Sequence, residues 1–234
     1  MTADVMDEFI SYGVFAWDVH DSLWLLECGT VPALEMDSLK RAEIDKLLAE
    51  DGKPPVVILQ DIIERDFLGH SVILCLLDAG GHKGELVDHF VKSNWERCIQ
   101  QKGHSLQGGA HFKMSDKFRT NHFITGNARY YQSTAIYYLY AQKNREENYL
   151  WFYPEISEEM LTQIRAMQPD NSSKNGHLYE NWTSKNLPDH IFDVAKYAFM
   201  AKDFMLAYYK NDKFSHCAAP SLRRRMDKIK TEKN

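Results

Sequence analysis

A chain of 234 residues that is 44% hydrophobic is long enough for one substantial core, and no apolar run in it approaches the length of a membrane span. The formal net charge of -5 argues against a uniformly basic nucleic-acid coat, although the C-terminal SLRRRMDKIKTEKN is locally basic. Four scattered cysteines (Cys28, Cys75, Cys98, Cys217) without a C-x-x-C pair suggest neither a thiolate zinc site nor a disulfide framework; with no signal pattern at the N-terminus, a soluble, cytoplasmic protein is expected, with Cys28 and Cys75 as core thiols.

The first residues, through Met6, read as a strand. Phe9 to Asp18 and Ser22 to Thr30 are β-rich and joined by Val19-His20-Asp21, which predicts a hairpin and, with the opening strand, an antiparallel trio. Asp37 to Ala49 has helical period and ends at Asp51-Gly52, while Val56 to Phe67 is mixed and not typed by its pattern. Its acids Asp61, Glu64 and Asp66 read as a solvated helix face.

Val72 to Leu77 is an unbroken apolar run, as expected of a strand buried on both faces, and it stops at Asp78. Ala79-Gly80-Gly81 permit a sharp turn, and a helical pattern follows from Glu85 to Val91. In open α/β sheets such strand ends bind ligands, so Asp78 either holds a cation or caps the following helix. Arg97 to Gln101 predicts a short strand, and Gly103 to Gly126, rich in Gly, His, Lys and Asn, reads as one long flexible loop.

Asn127 to Gln142 predicts a tyrosine-rich helix, and Tyr149 to Tyr153 a strand stopped by Pro154. Ser157 is a natural N-cap for a helix reaching about Met167, Pro169 to Gly176 is turn-rich, and His177 to Thr183 suggests a last strand. Pro188 to Tyr209 is the longest helix, apolar around most of its circumference and therefore expected to be mostly buried. Within it Asp193 is out of place. Asp189 and His190 lie one turn earlier on the same face, so the three can converge on one ion; the plain alternative pairs Asp193 with Lys196.

Three strands, then a strand ending in an acid, then a long late helix with a buried acid is the order of a ribonuclease-H-like α/β fold, with Asp4, Asp78 and Asp193 in the three acidic places. The pieces TADVMDEFISYGVFAW, LLDAGGHKGELVDHFV, QQKG and NLPDHIFDVAKYAFMA, in that order, resemble the nuclease domain of the large terminase subunit of tailed bacteriophages, in its lambda-like branch. Met6 stands where that family commonly has Gln, and Ala79 where it has Ser; neither change removes a carboxylate.

The resemblance implies a metal-dependent endonuclease acting on double-stranded DNA concatemers during genome packaging, with two Mg²⁺ or Mn²⁺ ions held by the catalytic acids Asp4, Asp78 and Asp193, and with His190 and Asp189 as further candidate ligands. Clustered carboxylates suit such hard cations. Lys83, Lys102, His104, His111, Lys113, Lys117 and Arg119 are the candidate phosphate contacts. No G-x-x-x-x-G-K-[ST] loop is present, so residues 1–210 are expected to be the nuclease part of a longer protein whose ATPase motor is elsewhere, with 211–234 a disordered basic tail. The implied partners are DNA, that ATPase domain, the portal and the small terminase subunit, with no membrane, and the implied place of action is the procapsid portal in the host cytoplasm. The rivals are a ribonuclease-H-like junction resolvase and a module that docks DNA and portal with cleavage suppressed.

Overall fold

Apolar and β-branched side chains spaced through the opening residues form β1 (Thr2–Val5), β2 (Phe9–Trp17) and β3 (Leu23–Pro32). In the computed structural model, which describes residues 1–7, 9–18, 21–32, 55–67, 69–80, 84–104, 111–140, 149–169 and 182–210, these three pair antiparallel in sequence order, as expected. The register between β2 and β3 slips at Val14 and Phe15, a bulge in an otherwise continuous ladder. The helix expected over Asp37 to Ala49 lies outside the described residues.

The untyped stretch resolves into α1 (Pro55–Glu64) and a two-residue strand, β4 (Asp66–Phe67), paired with β5 (His70–Ser71). Asp61 and Glu64 are exposed on α1, as the solvated-helix-face reading requires; Asp66 is exposed too but lies on β4, not on the helix. The central strand β6 (Cys75–Asp78) is shorter than the apolar run before it, because its neighbours β1 and β7 (Cys98–His104) pair with it only from Cys75 onward. Between β6 and β7, α2 (Gly84–Ser93) completes a parallel strand–helix–strand unit.

The loop expected over Gly103 to Gly126 is corrected by the structure. Much of it is β8 (Phe112–Met114), α3 (Phe118–Asn121) and β9 (Phe123–Asn127), and β9 inserts between β7 and β8 in the main sheet. Fully buried Ile124 anchors that insertion, and residues 105–110 lie outside the described set.

The remaining elements are α4 (Ala128–Tyr140), β10 (Leu150–Phe152), α5 (Glu158–Ile164), β11 (Gln168–Pro169), β12 (Trp182–Thr183) and α6 (His190–Lys210). Ser157 caps α5 by accepting the Met160 N–H, with Glu158 and Glu159 favourably placed in the first turn. That helix ends at Ile164, one turn before the expected limit. Of the strand expected over His177 to Thr183, only Trp182 and Thr183 are described, paired with β11.

The eight-stranded sheet has the order β10-β3-β2-β1-β6-β7-β9-β8, with β2 and β8 antiparallel to the rest. Helices cover both faces, an arrangement compatible with the expected ribonuclease-H-like α/β fold. On one face Tyr131, Ile136, Phe192 and Phe199 of α4 and α6 pack on Leu76, Ile99 and Ile124. On the other, Leu59, Ile62, Phe90 and Val91 of α1 and α2 pack on Val5, Ile10, Cys75 and Leu77. Successive residues of β6 thus enter opposite cores, which explains its unbroken apolar sequence. Cys75 and Cys98 are buried free thiols; Cys28 is only partly buried. No described helix is long and apolar enough to cross a membrane.

Two contacts seat α6 on the sheet. Thr2 Oγ1 donates to the Val194 carbonyl at 2.7 Å, and Gly13 lies so close beneath the helix that a methyl group there would stand 2.8 Å from Val194 Cγ1. The 21-residue helix is buried along its first half, as its apolar circumference requires.

Candidate active site

Strand register builds the floor of the site. Asp4 on β1 pairs with Ser11 on β2, and Asp78 at the end of β6 pairs with Gln101 on β7. The Ala3–Leu77 pairing, carried one residue on, brings Asp4 level with Asp78. Ser11, Asp4, Asp78 and Gln101 therefore form one row across four adjacent strands. The first turn of α6 lies against this row and carries Asp193. The three acids predicted from sequence share one neighbourhood.

Each carboxylate has an internal partner. Asp4 is 4% exposed, and its Oδ2 lies 3.0 Å from His190 Nδ1. The His190 ring is fixed edge-on to Phe9 at 5.0 Å. Asp78 Oδ1 accepts from the Gly80 N–H and from Gln101 Nε2, both at 3.0 Å, while Oδ2 accepts from the Tyr197 hydroxyl at 3.2 Å. Gly80 leaves room for the carboxylate at that turn, since a methyl group there would lie 3.1 Å from Asp78 Oδ1 and 3.3 Å from Oδ2, close enough to press on it. Asp193 Oδ1 receives the Lys196 ammonium at 2.6 Å, so the simple helix pairing weighed from sequence exists within the acid cluster.

Burial pushes the Asp4 carboxyl up from its ordinary 3.8 to about 6; repulsion from Asp193 adds to this, the His190 hydrogen bond opposes it, and Asp78 contributes further repulsion. Burial also raises Asp78, against the hydrogen bonds from Gly80 and Tyr197 and with added repulsion from Asp193. Half-buried Asp189 is raised by burial and then by Asp193, and its carbonyl accepts the Asp193 N–H as α6 begins. Tyr197 is pushed well up by burial and by all three acids, so its hydroxyl stays protonated and donating.

Among the described residues, no three His, Cys, Asp or Glu side chains stand close enough together to hold a metal ion. The acids are gathered while their oxygens point to protein donors. The donor set still fits a hard divalent cation: all three acids offer oxygen, with His190 at the edge. The row also contains two buried polar atoms without a partner, Ser11 Oγ and Gln101 Oε1.

The family model described as terminase large subunit gpA, endonuclease domain, matches residues 1–212. The chain belongs to that family. The match covers the complete acid row and all of α6, and gpA agrees with the lambda-like branch of the resemblance. No curated protein and no solved structure matches the chain. The terminase endonuclease domain is thus a phage DNA-packaging nuclease by family, and its acids lie where β1, β6 and α6 meet.

The candidate phosphate contacts of this terminase domain are more dispersed. Lys102 and Lys113 flank Thr125 in the next row of the sheet, and strand alternation turns that row to the face opposite Asp78. Lys102, His104, Lys113 and Lys117 are exposed. His111 is exposed and lies against Tyr130, with ring centroids 3.7 Å apart. Arg119 falls on α3 with its side chain outside what is described, and Lys83 lies outside the described residues. Sequence reasoning missed Gln101, Ser11 and Tyr197 as site residues. Only Tyr197, one turn after Asp193 on the same helix face, left a readable signal.

Proposed function

We propose that this domain hydrolyses phosphodiester bonds of double-stranded DNA concatemers during genome packaging, using divalent Mg²⁺ or Mn²⁺ held by Asp4, Asp78 and Asp193. The observation that supports it best is the convergence of three acids from β1, β6 and α6, with Asp4 and Asp78 both raised by burial and by repulsion from Asp193. When bound, a pair of such ions supplies an activated water and neutralises charge on the departing oxygen.

The remaining roles belong to the chain's own side chains. His190 orients Asp4, and Gly80, Gln101 and Tyr197 orient Asp78. Lys196 neutralises Asp193, in the place where a bound cation would do the same. Lys117, with Lys83 and Arg119, contacts phosphates without reading bases, whereas Lys102, His104 and Lys113 lie on rows turned away from Asp78 and are not contacts at the acid row. Asp189 serves as an outer ligand. The motor domain, portal and small terminase subunit are the packaging partners, met at the procapsid in the host cytoplasm.

One observation favours a second reading. Every acid already has an internal partner, as expected of a module that docks DNA while cleavage is held off. Plasmid nicking with Mn²⁺, comparing the parent with Asp78→Ala and Asp193→Ala, separates the two. Nicking that both substitutions abolish supports the nuclease; DNA binding without metal-dependent nicking supports docking. Cleavage confined to branched DNA would point instead to resolvase chemistry.

A further inference from the structure

Gln101 is fully buried in the acid row, opposite Asp78. Its amide orientation is fixed by what it touches: Nε2 donates to Asp78 Oδ1 at 3.0 Å. A carboxylate can only accept here, so the nitrogen must face it. The carbonyl oxygen Oε1 is left buried with no protein partner. An unpaired buried carbonyl destabilises the fold, a penalty that methionine, of similar shape, would not carry. Such an oxygen calls for a donor or a cation, and it belongs to the same amide whose nitrogen holds Asp78 in the acid row.

We propose that Gln101 Oε1 is a neutral oxygen ligand of the divalent-cation site, placed by the bond its own nitrogen makes to Asp78. Amide carbonyls are ordinary ligands for hard cations, and a neutral one adds a donor without adding a fourth like charge to the cluster. The inference rests on the reading of the acid row as a cation site.

The test is Mn²⁺ titration of the protein by calorimetry, without DNA, for the parent, Gln101→Met, Gln101→Glu and Asp78→Ala, each checked for folding by circular dichroism. Gln101→Met removes both halves of the amide and is expected to weaken Mn²⁺ binding about tenfold or more. Gln101→Glu restores an oxygen while losing the donor to Asp78, and is expected to bind at least as tightly as the parent. Should Gln101→Met not fold, the glutamate variant alone decides.

Parent-like binding by Gln101→Met overturns the inference, as does binding by Gln101→Glu weaker than the parent, which would reduce Gln101 to a residue that only positions Asp78. If the parent binds no Mn²⁺, or Asp78→Ala binds it equally well, the acid row is not a cation site and both readings fail. Loss in Asp78→Ala with parent-like Gln101→Met overturns the role of Gln101 alone.

Discussion

The Lys196 ammonium sits 2.6 Å from Asp193 Oδ1, one turn further along α6, with the lysine side chain only 13% exposed. That nitrogen also lies 5.0 Å from the centroid of the Tyr197 ring, whose hydroxyl holds Asp78. A buried cation placed there relieves the repulsion among the acids and competes with any ion that would do the same.

Lys196→Met should therefore separate metal affinity from metal-free stability. Without the ammonium, Mn²⁺ meets no competitor at Asp193 and should bind several-fold more tightly by calorimetry. The protein in EDTA should lose about 1 to 3 kcal/mol, because a partly buried carboxylate is left without its partner. That corresponds to a fall of roughly 2 to 10 °C in melting temperature for a domain of this size. Unchanged Mn²⁺ affinity would show that Lys196 does not occupy the cation's place.

Gly80→Ala should damage the site and spare the fold. The added methyl would crowd both oxygens of Asp78, at 3.1 and 3.3 Å, in a turn that is otherwise exposed. Nicking with Mn²⁺ should drop about tenfold, as supporting contacts of metal ligands typically show, with the melting temperature within a degree or so of the parent. A variant that nicks normally would mean that the bond from Gly80 to Asp78 is dispensable.

How much of this was legible in sequence follows from where each signal is written. Asp78 stands out because an apolar run ends on it and glycines follow, and Asp193 because it interrupts an apolar helix. Asp4 has no local signal and emerges only from the order of the elements. Gln101 was invisible: in CIQQKGH two adjacent glutamines look alike, and only strand register shows which one meets Asp78 and which, Gln100, bonds Asp88 of α2. The misread loop over Gly103 to Gly126 has the same origin. Its strands β8 and β9 alternate over too few residues to be seen, and Ile124 is buried by neighbours distant in sequence. Lys102 could have been placed better, since a residue beside a site-facing Gln101 in a strand points the other way.

Gly13→Ala tests whether seating α6 on the sheet is what delivers Asp193. The methyl would meet the Phe15 ring at 2.6 Å and Val194 Cγ1 at 2.8 Å, so the helix or the ring must shift. Overpacking of this kind costs about 1 to 3 kcal/mol. Nicking should fall more steeply than stability, since Val194 adjoins Asp193 and its carbonyl is held by Thr2 Oγ1. Full activity in a destabilised variant would show that the site tolerates movement of the helix.

The pH dependence of stability in EDTA should carry the signature of Asp4. Its carboxyl titrates near 6 in the folded protein against an ordinary 3.8, so between those values the folded state binds more protons than the unfolded one. Stability from this group is therefore highest below about pH 4, falls as pH rises from about 4 to 6, and is flat above; the total is on the order of 2 to 3 kcal/mol, from about two pKa units at 1.36 kcal/mol each. Asp4→Asn removes the titrating group, so the difference in melting temperature between variant and parent should widen in the variant's favour across that window. Saturating Mn²⁺ should stabilise the parent most above pH 6, where the acid is ionised and free of competing protons. A parent and an Asp4→Asn variant with parallel pH profiles would falsify the placement of Asp4 among repelling, buried acids.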